Sequence, residues 1–246
     1  MARKPHFAEV SAGLLGFLPP DAEPPGHLGH RARMRQKLLG AGPEALLDHE
    51  LLEMLLFIAL PRRDTKPIAR ALIARFGGFA EALAASPAEL QEIEGMGEAG
   101  AAALKAVQAA SLRMMRSELR AQPLLDNWDR LVGYLTAAIA REPIEQFRVL
   151  FLDAKNRLIA DEAQARGTVN HTPVYPREVV KRALALQATA LILVHNHPSG
   201  DPTPSRADIE MTQEVKAAAG ALGIALHDHL IIGRGRHLSF RREGLL

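Results

Sequence analysis

Pro123 separates two stretches of chain whose apolar residues recur at different spacings. Before it the spacing is helical. Leu46, Leu47, Leu51, Met54 and Leu55 fall three, four and seven residues apart, which puts them on one side of a helix. Pro61-Arg62-Arg63-Asp64 breaks that helix, and Asp64 or Thr65 can cap the next, with Pro67 in its first turn. Ile68, Leu72, Ile73 and Phe76 continue the pattern until Gly77-Gly78 stops it. Ser86-Pro87-Ala88-Glu89 has the form of a capping box: a hydroxyl at the cap, Pro in the first turn, Glu three residues on. A long Ala-rich helix is expected over about Ala99–Arg120, and no strand is predicted in this half.

After Pro123 helices and strands mix. A helix over about 128–141 leads into Phe147–Asp153, a strand ending in a turn at Asp153–Asn156. Leu158–Glu162 reads as its hairpin partner, and 166–171 as a further strand. A helix over 176–186 follows. Ala190–His195 is short, apolar and without alternation, the pattern of a strand buried on both faces. A helix over 205–222 and strands over 224–232 and 237–240 complete the chain. There is no regular strand–helix alternation, so the class is α+β: an all-α helical region, then a mixed α/β region. The expected division is a flexible Pro- and Gly-rich tail at 1–26, a helical domain at 27–122 and a mixed domain at 123–246.

Composition narrows the chemistry. The 246 residues contain no cysteine, which excludes disulfides, thiolate metal sites and a thiol nucleophile. Any metal must be held by His, Asp, Glu, carbonyls or water. Net charge is +2, split evenly: 15 basic against 14 acidic residues in 1–124, and the same again in 125–246. Bulk charge therefore supplies no strong capture of nucleic acid. The apolar runs Met54–Leu60 and Ala188–Val194 are far shorter than the ~20 residues that span a bilayer. No leader segment is read, and a soluble cytoplasmic protein is the expectation.

The segment that carries chemistry is His195-Asn196-His197-Pro198-Ser199-Gly200, followed by Asp201-Pro202-Thr203-Pro204-Ser205-Arg206-Ala207-Asp208. Two His at i and i+2, leaving the end of a buried strand, point to the same side. A Pro/Gly loop brings the chain back to a helix start at Ser205. Asp208 then lies on the first turn, where the helix dipole favours a carboxylate. Taken singly each piece is ordinary: an exposed H-x-H, a helix cap, a loop. Together they offer three nitrogen and oxygen ligands and leave one tetrahedral position for water, the pattern of a catalytic zinc site. His227-Asp228-His229 is a second H-x-H, but no return loop or helix-borne acid follows it. Asp228 and His229 read as polar residues lining the sheet, and His227 as exposed. His171, after Gly167-Thr168, reads either as an exposed loop residue or as one near the cleft.

The spacing H-x-H, ten residues, D, with Ser three before the Asp, resembles the JAMM (MPN+) metalloprotease motif. The wider text resembles the bacterial RadC family in Phe147–Asp153 with Lys155-Asn156, Gly167-Thr168-Val169-Asn170, Pro176-Arg177-Glu178-Val179, His195–Gly200 and Asp228-His229-Leu230-Ile231-Ile232-Gly233. Gly29–Arg33 and Pro61–Asp64 resemble it too. The resemblance implies a cytidine deaminase-like JAMM domain binding one Zn²⁺ through His195, His197 and Asp208. It implies Glu145, just before the first central strand, as the base, and Ser205 as a positioning or oxyanion-stabilising hydroxyl. Glu142, nearly a turn from the strand start, and Glu162, on the partner strand, are the alternatives for the base. The implied reaction is metal-assisted hydrolysis of a peptide or isopeptide bond in a protein or peptide substrate.

Ile93-Glu94-Gly95-Met96-Gly97 and the residues to Leu104 resemble a helix-hairpin-helix element, whose turn can bring backbone N–H groups to a phosphate. Glu92, Glu94 and Glu98 oppose that use and favour a plain αα-turn. Arg31, Arg33, Arg35 and Lys37 form the better basic cluster. A second reading is thus a DNA-binding repair or recombination accessory factor with a structural or vestigial metal site. Oligomeric state is not written in the sequence.

Overall fold

The computed structural model describes residues 29–166 and 174–246. The expected tail at 1–26, the Gly167–Asn170 segment and His171 lie outside the described residues. Up to Pro123 the described residues form helices and no strand: α1 (His30–Ala41), α2 (Asp48–Ala59), α3 (Lys66–Phe76), α4 (Phe79–Ala84), α5 (Pro87–Gln91) and α6 (Gly97–Ala121). The punctuation acts as the residue types dictate. Ser86 Oγ accepts from Glu89 N while Glu89 returns a carboxylate oxygen to Ser86 N, so two orphan donors of α5 are met. Gly77 ends α3 at φ 94°, a conformation that penalises any side chain. Leu52, Leu56, Ile68, Leu72, Leu90, Met96 and Leu104 close the core of this region.

The second region is a five-stranded mixed sheet, order β2-β1-β3-β4-β5. Its strands are β1 (Gln146–Leu152), β2 (Leu158–Arg166), β3 (Ala190–Asn196), β4 (Ala225–Ile232) and β5 (His237–Ser239). β3 and β4 run parallel, and the other neighbours are antiparallel. One face carries Leu150, Leu152, Ile192, Val194, Leu230 and Ile232 and is covered by α7 (Trp128–Ile139). The other carries Phe147, Val149, Phe151, Leu191 and Leu193. It is covered by α8 (Pro176–Ala185) and α9 (Arg206–Gly220) through Val179, Ala183, Val215 and Ala219. The fold is α+β, a helical region followed by a mixed sheet between helices.

β2 is longer than its sequence suggests and takes in Arg166, which the pattern assigned to a further strand. The reason is its edge position. Two register shifts against β1, near Phe147/Arg148 and Phe151/Leu152, break the alternation of Leu-Ile-Ala-Asp-Glu-Ala. α6 is long, 25 residues or about 37 Å. Its early turns bury Ala101 and Leu104 in the helical core, and its late turns bury Leu119 in the sheet core, beside Leu112 and Met115.

A polar knot ties α6 to the sheet. The Asp161 carboxylate on β2 is fully buried and accepts from Arg148 Nε at 2.8 Å, Arg148 Nη2 at 2.7 Å and the Tyr134 hydroxyl at 2.5 Å. Arg116 Nε on α6 donates to that hydroxyl at 2.9 Å. Such a buried carboxylate is tolerated because each oxygen has charged or hydroxyl donors. No helix among the described residues is long and apolar enough to cross a membrane.

Burial and the adjacent Asp161 carboxylate push the Tyr134 hydroxyl up to about 12. In the unfolded chain it ionises near 10. Between those values the unfolded state sheds a proton that the fold retains. The stabilisation is therefore complete below about pH 10 and is lost as pH rises toward 12. Urea unfolding between about pH 9 and about pH 12 should show a decline that is shallower in Tyr134→Phe; parallel declines would rule this out.

Candidate metal centre

β3 is buried along its whole length, and its pleat divides the last three side chains between two faces. His195 turns toward α9, beside Phe147, with ring centroids 6.4 Å apart. Asn196 turns the other way. His197 lies just past the strand end, on the side of His195. A Pro/Gly turn follows, fixed by Gly200 N donating to His197 O at 2.9 Å, with Gly200 at φ +86°. The chain then enters α9, whose first turn carries Asp208. Ser205 is the cap: its hydroxyl accepts from Asp208 N at 3.2 Å and donates to Asp208 Oδ2 at 2.7 Å, and its own N–H donates to Oδ2 at 2.7 Å.

Strand end and helix start thus bring three donors together. His195 Nε2 lies 3.0 Å from His197 Nε2 and 3.4 Å from Asp208 Oδ1; His197 Nε2 lies 3.7 Å from Asp208 Oδ2. Ligands at 2.0–2.1 Å in a tetrahedron sit roughly 3.3 Å apart. The separations lie around that value, with His195 facing one Asp208 oxygen and His197 the other, so the set suits a zinc-sized ion once the carboxylate turns one oxygen to both. Among the described residues this is the group of His, Asp and Glu side chains that could hold a metal.

The electrostatics suit a cation. Burial pushes His195 down to about 4, keeping the ring neutral at ordinary pH. Burial pushes Asp208 up, but the neighbouring His197 and His195 rings and the hydrogen bonds from Ser205 outweigh it and hold the carboxyl well below its ordinary range. The adjacent Asp208 carboxylate raises His197, against the effect of burial.

Glu145 immediately precedes β1. The β1–β3 register pairs Phe147 with His195 and continues without shift to Leu152 and Ala190. That pairing ends at Phe147, two residues after Glu145. The charge of Glu145 contributes to raising His197. One of the alternatives is engaged elsewhere. Glu162 accepts both Nε and Nη2 of Arg182 on α8, and the charge of Glu142 acts on Lys105.

Sequence reading passed over two residues. Asn196 uses both ends of its amide: Oδ1 accepts from Gln146 N at 2.8 Å, and Nδ2 donates to Glu142 O at 3.2 Å and Ile144 O at 3.3 Å. It clamps the backbone on both sides of Glu145. Its signal was the pleat, which sends the middle residue of H-x-H to the opposite face. Thr212, one turn after Asp208, contacts His229. The second H-x-H is structural, with one difference from expectation. His227 is half-buried rather than exposed, because its Nε2 meets Asn156 Oδ1 at 2.7 Å across the sheet end. Asp228 is buried and accepts from Ser239 Oγ and from the backbone of His229 and Arg241.

Two family matches cover most of this chain: the RadC-like JAB domain over residues 125–245 and the UPF0758 N-terminal domain over residues 27–102. A relative described as a UPF0758 protein, from Rhodobacter capsulatus, is 62% identical over 213 residues. The match spans 87% of this chain and 100% of that one. The chain belongs to the RadC family.

Within its RadC-like JAB domain fall His195, His197, Asp208, Ser205 and Glu145 together. In the UPF0758 N-terminal domain the basic cluster is partly engaged by the fold. The Arg31 guanidinium donates to the carbonyls of Phe57, Leu60, Pro61 and Arg63, capping the end of α2, and Lys37 pairs with Glu50 at 2.6 Å. The Gly95–Gly97 turn is tight, with Gly95 at φ +82° and its carbonyl accepting from Arg63 Nη1.

The RadC segment Asp228–Gly233 also supports the ligand loop directly. His197 N donates to Ile232 O at 3.1 Å, and Arg234 N donates to Gly200 O at 3.2 Å. A Cβ on Gly233 would stand 2.3 Å from Gly200 O, a backbone atom that cannot swing aside. Gly233→Ala should therefore displace the loop and cost about 1–3 kcal/mol in urea unfolding. A variant with wild-type stability would show that the loop yields freely.

Proposed function

We propose that this RadC-family protein is a zinc-dependent hydrolase of peptide or isopeptide bonds, acting on a protein or peptide substrate. The observation that carries the reading is the convergence of His195 Nε2, His197 Nε2 and Asp208; Glu145 lies close enough for its charge to act on His197. The donor set is two imidazoles and one carboxylate, which suits zinc and leaves room for water. Zinc bound there would supply Lewis acidity and water acidified to a pKa near 7.

The side chains divide the remaining work. His195, buried and neutral, keeps a lone pair available to the ion. Ser205 holds Asp208 Oδ2 in place, and in this arrangement its proton serves the carboxylate rather than an oxyanion. Glu145 accepts a proton from water and returns it to the leaving nitrogen, the general-base and general-acid roles in turn. Asn196 keeps Glu145 at the strand start by holding the backbone around it. No thiol is required, in keeping with a chain that has no cysteine. The alternative, a DNA-repair accessory role, has less to rest on, since Arg31 and Lys37 are committed to internal contacts.

Metal analysis of purified protein should find about one zinc per chain in wild type and little in His197→Ala. Equal, negligible zinc in both would sink the proposal. Glu145→Gln should keep its zinc yet lose about 10²- to 10⁴-fold in rate on quenched-fluorescence peptides and isopeptide-linked peptide pairs. Unchanged turnover in that variant would remove Glu145 from the mechanism.

A further inference from the structure

His229 touches the metal centre but is placed so that it does not ligate. It is fully buried on β4, and both ring nitrogens are occupied. Nε2 lies 2.8 Å from His195 Nδ1, a direct hydrogen-bond distance. Nδ1 lies 2.6 Å from Thr212 Oγ1. Thr212 Oγ1 in turn lies 2.5 Å from the backbone carbonyl of Asp208.

Those contacts have one consistent assignment of protons. A carbonyl oxygen only accepts, so the 2.5 Å contact holds the single hydroxyl proton of Thr212. Thr212 Oγ1 must then accept, and His229 Nδ1 is the donor. His229 is fully buried and its ring nitrogens meet Thr212 and His195, neither of them acidic, so a second proton would leave a buried cation with no counter-charge. Its Nε2 is an acceptor, and His195 Nδ1 donates to it. His195 is then left with a bare lone pair on Nε2, the atom facing His197 and Asp208. His197 Nδ1 donates to Asp201 O at 2.7 Å, so whenever that ring is neutral its Nε2 is bare as well. Two imidazole lone pairs and a carboxylate then converge, an arrangement that a cation relieves.

We propose that Thr212 and His229 form a buried relay that locks His195 in its Nδ1–H form, so the ligand nitrogen is set before an ion arrives. The relay runs from Asp208 O through Thr212 and His229 to His195, so one ligand residue fixes the ring state of another. Thr212 and His229 are positioning residues; neither touches the ion or the reacting atoms. The inference rests on the reading of His195 as a ligand, but the ring state can be read without metal or turnover.

The test is long-range ¹H–¹⁵N correlation of histidine rings in metal-free protein, paired with zinc competition against a chromogenic chelator. Wild type should show His195 and His229 protonated at Nδ1. Thr212→Val should populate the other form and weaken zinc binding about 10- to 100-fold, the usual effect of losing an outer partner. Thr212→Ser should restore both. If Thr212→Val fails to fold, His229→Gln serves. Its amide can accept from His195 and donate to Thr212, so it should keep zinc where His229→Leu loses it. Unchanged ring protonation in Thr212→Val, or loss of zinc in His229→Gln equal to that in His229→Leu, overturns the relay. Zinc affinity within twofold of wild type in Thr212→Val overturns its service to the ion. A wild type that takes up no zinc sinks the hydrolase reading instead, and the ring spectra still decide the relay.

Discussion

The pairing of β3 on both of its edges is the constraint from which the candidate centre follows. β1 holds it antiparallel from Phe147 opposite His195 to Leu152 opposite Ala190, and β4 holds it parallel. A slip of one residue would turn His195 to the opposite face and bring Asn196 into its place. Such a slip would also carry Leu191 and Leu193 out of the core they fill with α8 and α9. The hydrophobic layers thus fix the register, and the register fixes which nitrogens meet. Packing energy of the sheet, not any local preference of the H-x-H segment, places the two candidate donors of β3.

The pleat then separates two tasks within three residues. On one face His195 and His197 converge with Asp208. On the other, Asn196 satisfies one backbone N–H and two carbonyls where the chain enters β1. A buried amide bonded at both its oxygen and its nitrogen is stable and directional, whereas one left without partners would cost about 1–3 kcal/mol. The approach of α9 completes the arrangement. Its cap places the Asp208 carboxylate at a helix N-terminus, where the dipole favours negative charge.

His195, His197 and Asp208 were legible in the sequence because each rests on a local rule: strand period for the two histidines, cap spacing for the acid. Helix boundaries came out within a few residues for the same reason, since Pro67, Gly77 and Ser86 act on their own neighbours. What stayed hidden depends on register between distant segments. His229 reads as a generic strand histidine until β4 is set beside β3, 34 residues earlier. Thr212 reads as a helix-surface residue until β4 lies beneath it. Arg31 reads as part of a basic face until the end of α2 is folded against it. β2 was read short because its bulges break the alternation that periodicity looks for.

α6 belongs to two cores at once, filling the helical one with Leu104 and the sheet one with Leu119. A unit cut at the start of the JAB match would leave this helix behind and bare the sheet-facing surface that Leu112, Met115 and Leu119 cover. It would also strip Arg116 from the Tyr134–Asp161 knot. The sheet region is therefore not a transferable module. Recombined with another partner, it would need a replacement for two turns of borrowed helix, and that debt ties the two regions into one inherited unit.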